Sequence, residues 1–135
     1  MALITNRTIS DSASTASFEI VNNGQAPPEA NEVIVDVSSL IGAAGDGTER
    51  VRVTHVTALV AKTVASPPSG ICVTLSWDGS DDFLTLPEGT TSLKLACNPK
   101  DDATGDILIS APRSNLYTLF LTVEKIRGYP LSTAN

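Results

Sequence analysis

The sequence predicts an all-β protein: an antiparallel β-sandwich or a jelly-roll-like barrel, preceded by an extended N-terminal arm. Short runs rich in valine, isoleucine, threonine and leucine recur along the 135 residues, and each is followed by glycine, proline, asparagine or aspartate. No helix-period pattern of useful length interrupts them. Seven to nine short strands without long crossover helices are typical of a sandwich or barrel.

The predicted strands differ in length but share this composition and punctuation. They cover 16–21, 32–37, 49–61, 71–77, 83–86, 92–97, 106–111 and 116–126, and 3–9 is a candidate for one more. This organisation divides the chain into an arm at 1–15, a sandwich domain at 16–127 and a tail at 128–135. Both ends are rich in serine and threonine and contain few large apolar residues, so we expect a partner to order them.

Alternation of apolar and polar residues assigns faces to three of the strands. In 71–77 the predicted core positions alternate with polar ones; they are Ile71, Val73, Leu75 and Trp77. The run at 116–126 is apolar on both faces, which predicts a central strand covered on both sides. The run at 49–61 changes from one apolar face to two at Val56, which predicts either entry from a sheet edge or a β-bulge.

Charge and hydropathy exclude several classes of protein. Fifteen acidic residues against nine basic ones give a formal net charge of −6. Because binding to phosphates requires a basic surface, we expect no nucleic-acid partner and no anionic membrane partner. No apolar stretch approaches the roughly 20 residues that span a bilayer. The N-terminal residues do not show the basic and then apolar regions of a secretory signal.

The two cysteines, Cys72 and Cys97, have no second cysteine or histidine at metal-ligand spacing. Two buried, reduced thiols are therefore the first interpretation, and a disulfide between them is the alternative.

The sequence contains no recognisable catalytic constellation. The single histidine, His55, lies among β-branched residues inside the longest predicted strand, which is typical of a structural strand histidine. Phosphate-binding loops, nucleophile elbows and HExxH motifs do not occur. We therefore predict that the chain is not an enzyme and uses no cofactor.

Two acidic clusters are the strongest candidates for a site. They comprise Asp78, Asp81 and Asp82, and Asp101, Asp102 and Asp106. Calcium prefers six to eight oxygen ligands, but the spacing here is not that of a calcium-binding helix–loop–helix. Asp-Gly after a strand is also a strong hairpin signal, so turn chemistry is the first interpretation, with no metal bound. A calcium site is the second, and a catalytic carboxylate pair at Asp78/Asp82 or Asp101/Asp106 is the third.

Three motifs in the C-terminal half occur in a recurring order. They are Trp77-Asp78-Gly79, then Thr104-Gly105-Asp106-Ile107-Leu108, and then Tyr117-Thr118-Leu119-Phe120-Leu121 followed by Lys125. This ordered set, over about the last 50 residues, resembles small β-rich virion proteins of tailed bacteriophages.

The resemblance implies a decoration or cement protein on the capsid exterior, assembled in the bacterial cytoplasm. Its implied partners are the major capsid protein and further copies of the same chain, as a homodimer or homotrimer. In the predicted arm, the large apolar residues suited to partner binding are Leu3, Ile4 and Ile9. The alternatives are a carbohydrate- or receptor-binding sandwich of a tail fibre and a head–tail connector or tail component.

Overall fold

A computed structural model describes residues 4–23, 29–45, 47–61, 72–79, 82–99, 105–111 and 116–129. It confirms the all-β prediction. The described residues form nine strands: β1 (Ile4–Asp11), β2 (Thr15–Asn23), β3 (Glu29–Val35), β4 (Arg50–Ala61), β5 (Cys72–Trp77), β6 (Asp82–Pro87), β7 (Gly89–Cys97), β8 (Ile107–Ala111) and β9 (Leu116–Arg127). In the described ranges, the helical structure is one 3-10 turn, Val37–Ser39, whose N-cap is Asp36.

The strands form two antiparallel sheets with the strand order of a jelly roll. The five-stranded sheet runs β1-β2-β9-β4-β7, and the four-stranded sheet runs β3-β8-β5-β6. Strand pairs nest from the ends of the chain inward, because β2 pairs with β9, β3 with β8, β4 with β7 and β5 with β6. This nesting is that of one long hairpin folded over into two sheets. Strand β1 extends the five-stranded sheet at one edge.

The core lies between the two sheets and is built mostly from aliphatic residues, as the sequence predicts. Val73, Leu75 and Trp77 of β5 all point into it and are buried. The Trp77 ring stacks on Phe83 with a centroid separation of 4.8 Å. The hairpin predicted after Trp77 is confirmed, since β5 pairs with β6 across a turn that begins at Asp78.

Strand β4 contains the predicted bulge. Its register to both neighbours shifts between Val53 and His55. The shift explains the change of pattern in the sequence: Val51 and Val53 face the core before it, and Val56, Ala58 and Val60 face the core after it.

The prediction that β9 is covered on both sides is wrong. It is a central strand, and its inner residues Tyr117 to Val123 are buried at alternate positions. Its outer apolar residues, Leu116, Phe120 and Ile126, are exposed. A jelly roll has two layers, so each sheet has only one face against the core.

The extended arm predicted for residues 1–15 is not confirmed. Ile4–Asp11 form β1 and pair with β2 from Ile4↔Asn22 to Asp11↔Ala16. Between the two strands, the Ser12 amide donates to the Thr15 carbonyl at 2.8 Å. Alternating polar side chains suffice for an edge strand, because only one of its faces meets the core.

The C-terminal boundary predicted at residue 127 is two residues early. Tyr129 is buried, and its hydroxyl donates to the Val37 carbonyl at 2.8 Å. Gly128 has φ of 81°, and a Cβ there would lie 2.4 Å from Glu49 Cα, so only glycine fits. The remainder of the predicted tail lies outside the described residues.

Candidate binding surfaces

The first two of the three motifs meet in the structure. Trp77 is paired with Ile107 at the end of the β5–β8 ladder, and the Asp78 amide donates to the Asp106 carbonyl at 2.9 Å. The Asp106 carboxylate accepts a hydrogen bond from the Val37 amide at 3.0 Å, which joins the start of the 3-10 turn to the same corner. These aspartates therefore join three segments of backbone.

Gly105 in the second motif is required by close backbone approach. Its φ is 96°, and a Cβ would lie 2.8 Å from the Glu49 carbonyl oxygen. A larger residue would therefore separate this corner from the loop before β4. The glycine and the aspartate of this motif therefore both make close contacts within the fold.

Burial raises the pKa of the Asp106 carboxyl above its ordinary value. The Val37 hydrogen bond opposes this rise, while the nearby carboxylates of Asp36 and Asp78 add to it and the Arg50 guanidinium opposes it. The corner therefore places a carboxylate where its charge is poorly solvated.

An acidic depression lies on the outer face of the four-stranded sheet. It has a volume of about 340 Å³, an apolar floor that includes Val33 and Leu108, and carboxylates at Asp78 and Asp82. In the described part of the chain, no three histidine, cysteine or acidic side chains are grouped to hold a metal ion. The structure does not describe Asp81, Asp101 or Asp102. Of the predicted pair Asp101/Asp106, it therefore describes only Asp106.

His55 lies on the outer face of β4 and is exposed. Its strand partners are Thr122 and Lys94, and its Nδ1 lies 3.2 Å from the Thr54 hydroxyl. None of these neighbours is a carboxylate that could orient the ring for base catalysis.

Cys97 is a free thiol at the end of β7 and is partly buried. Burial raises the pKa of this thiol, and a hydrogen bond with Trp77 opposes the rise. Cys97 is therefore reduced, as the first interpretation predicts, and it forms no disulfide in the structure. The side chain of Cys72 is not among those described.

The predicted partner-binding residues fall along β1 or before it. Leu3 lies outside the described residues, and Ile4 is the first residue of β1. Ile9 is at a register shift between Thr8 and Ser10, and 49% of its surface is exposed. Ile9 is therefore an apolar side chain at an open sheet edge.

A larger apolar surface lies on the outer face of the five-stranded sheet. Thr118 of β9 is its centre, with Val21 and Leu59 directly opposite on the two neighbouring strands. Leu116 and Phe120 are two positions away on β9 itself and therefore on the same face. We call Val21, Leu59, Leu116, Thr118 and Phe120 the apolar cross. Leu59, Leu116 and Phe120 are all exposed, and Val21 is partly exposed.

Polar side chains and two ion pairs border the apolar cross on the side toward the C-terminal end of β9. Arg7 contacts Glu19 at 3.0 Å, and Arg52 contacts Glu124 at 3.1 Å. Hydroxyl pairs lie between them, for example Ser17 with Thr122 at 3.2 Å. The arrangement has the anatomy of a protein interface, with an apolar centre and a polar rim.

The two sheets differ in charge. The described strands of the four-stranded sheet contain acidic residues, Glu29, Glu32 and Asp82, and no lysine or arginine. The five-stranded sheet contains six bases, which are Arg7, Arg50, Arg52, Lys94, Lys125 and Arg127. The same strands contain three acids, Asp11, Glu19 and Glu124, so this sheet has more bases than acids in a chain that is acidic as a whole.

No family model matches the chain, and no curated protein matches it. In the part of the chain that the structure describes, no helix is long and apolar enough to cross a membrane.

Proposed function

We propose that this chain is a structural virion protein of a tailed bacteriophage, a decoration or cement protein that binds the outside of the capsid shell. The observation that carries the proposal is the meeting of the Trp-Asp-Gly and Thr-Gly-Asp-Ile-Leu motifs at one corner of a jelly roll. In a protein that binds through its shape and catalyses no reaction, we expect the motif residues to build the fold, and these residues build a corner of it. Jelly rolls are frequent in viral capsid proteins, which is support by analogy of fold.

The distribution of aromatic residues favours this function over carbohydrate binding. A sugar-binding sandwich requires exposed aromatic platforms, and all six aromatic residues of this chain lie in the described part. Phe18, Trp77, Tyr117 and Tyr129 are buried, Phe83 is partly buried, and Phe120 alone is exposed. One exposed phenylalanine is a poor platform for a sugar ring.

The proposed capsid contact is the open edge of β1. An edge strand presents unpaired backbone groups, and a segment of a capsid subunit can add to it as a further strand. Ile9 would supply an apolar anchor at this edge, and Ile4 begins the same strand.

Binding only to the expanded shell would stabilise that shell by linkage. At a hundredfold excess over the dissociation constant, each occupied site contributes about 2.7 kcal/mol. Many equivalent sites on one particle turn this modest contribution into a large effect on shell stability.

The test is to add the purified chain to expanded capsids that lack it. We expect saturation at a fixed number of copies and a higher capsid melting temperature. Ile9→Lys should weaken attachment at least about tenfold, because an edge lysine blocks strand addition. Val33→Lys, at a similarly exposed apolar residue on the other sheet, is the matched control and should bind normally. Absence of the chain from purified particles, together with no binding to capsids, would reject the proposal.

A further inference from the structure

We infer that the outer face of the five-stranded sheet is the contact between two copies of this chain, related by a two-fold axis close to Thr118. This inference goes beyond capsid binding and does not depend on it, because the isolated chain suffices to test it.

The shape and composition of the face favour contact with a second copy. The apolar cross places four apolar side chains around Thr118 on the central strand of the sheet, where they are ordered by strand pairing on both sides. Exposed apolar patches of this kind in a soluble domain mark interaction sites. Two such faces stack in the same way as the two sheets within the sandwich, about 10 Å apart.

The charge of the face also favours contact with a second copy. A chain of net charge −6 repels its own copies. On this face the charges are compensated, since Arg7 is paired with Glu19 and Arg52 with Glu124, and Lys94 adds one further base. Two copies can therefore approach through this face without bringing uncompensated acids together, whereas the described strands of the other sheet carry only acids.

The area of the face is comparable to that of a protein interface. Five strands about 4.8 Å apart, each contributing about eight residues of about 3.4 Å, give a face of roughly 650 Å². A standard protein interface buries about 800 Å² on each partner. Contact over the whole face would therefore come close to the size that a stable dimer requires, without any other part of the chain.

The two-fold symmetry follows from the position of the apolar residues. An isologous contact uses the same patch on both copies. An axis near Thr118 brings the apolar cross of one copy onto that of the other. A head-to-tail contact would instead place these residues against the acidic sheet, where Val33 is the one exposed large apolar side chain among the described strand residues.

The experiment measures the mass of the full chain by sedimentation equilibrium over a range of concentrations. We expect a dimer, and we expect Phe120→Lys and Leu59→Lys each to weaken it at least about 30-fold, as loss of a central anchor does. Val33→Lys is the control and should leave the dimer intact. Circular dichroism and thermal melting establish that each variant is folded, and Phe120→Ser serves as a milder second variant.

A cross-link tests the position of the axis. Thr118→Cys should form a disulfide-linked dimer under mild oxidation, whereas Thr85→Cys, exposed on β6 of the other sheet, should not. A monomeric parent, a trimer, or a dimer that survives both lysine substitutions on the face would overturn the inference. A monomer in solution whose capsid binding is lost in Phe120→Lys would assign this face to the capsid protein instead.

Discussion

The Lys125 ammonium lies 2.6 Å from Oδ1 of Asp11, and the lysine side chain has no exposure to solvent. The same nitrogen donates to the carbonyls of Ser12 and Ile41, and it lies 5.2 Å from the centre of the Tyr129 ring. One buried cation therefore connects the β1–β2 hairpin, the loop after the 3-10 turn and the end of β9.

Asp11→Ala should destabilise the fold by about 3 kcal/mol, because it leaves a buried charge without its counter-ion. Urea denaturation measures the loss. Glu19→Ala removes the carboxylate of the more exposed pair with Arg7 and is the matched control, with an expected loss below about 1 kcal/mol. Equal losses in the two variants would show that the Lys125 network does not contribute to stability.

Deleting residues 2–12 should destabilise the isolated domain strongly, because the deletion removes β1 and the Asp11 carboxylate together. Deleting residues 2 and 3 alone should leave the melting temperature within a degree or two of the parent. A stable, folded product of the longer deletion would show that β1 is an arm after all, as the composition of this segment suggests.

The strands could be predicted from the sequence because their residues alternate and their turns carry glycine, proline and aspartate. Strand β1 has a weaker sequence signal, because Ile4–Asp11 contain few large apolar residues. Its position depends on pairing with β2. The burial of Tyr129 depends on a contact with Val37, 92 residues away in the chain, which no local pattern reveals.

Trp77→Ala should cost about 3–5 kcal/mol, because it leaves a cavity and removes the stacking partner of Phe83. Phe120→Ala, a truncation of the exposed aromatic residue, should cost less than about 1 kcal/mol in the monomer. The comparison should be made at protein concentrations low enough to exclude self-association. A Trp77 variant that melts with the parent would place this ring outside the core.

Removal of divalent metal ions should leave the melting temperature unchanged. The described members of the acidic clusters have structural contacts of their own, in particular Asp106 with Val37 and the backbone of Asp78 with that of Asp106. Differential scanning calorimetry with and without a chelator measures the effect. A melting temperature that falls with chelator and recovers with calcium would establish a calcium site.

The apolar cross shows where sequence patterns are ambiguous. Apolar residues on both faces of 116–126 are compatible with a strand covered on two sides and with a strand whose outer face binds a partner. The pattern gives the polarity of each face but not the number of layers around it. The sequence of one strand does not show which residues of other strands lie beside it. In the structure, Thr118 pairs with Val21 and Leu59, and residues of three strands form one surface.

The stability of the fold should depend on pH through Asp106. Because the folded state raises the pKa of this carboxyl, ionising it disfavours folding. Below the ordinary aspartate pKa of about 3.9 the group is protonated in both states and has no such effect. As pH rises through the ordinary pKa and then the raised one, the penalty develops, and it is fully present at neutral pH.

Asp106→Asn keeps an oxygen that can accept the Val37 hydrogen bond and removes the charge. The variant should therefore be more stable than the parent at pH 7, and the difference should disappear as the pH falls below about 3.9. Urea titrations across this range measure it, and Asp82→Asn, which removes an exposed acid, controls for the general relief of negative charge. A variant that is less stable than the parent at pH 7 would show that the ionised carboxylate is required for its bond to Val37.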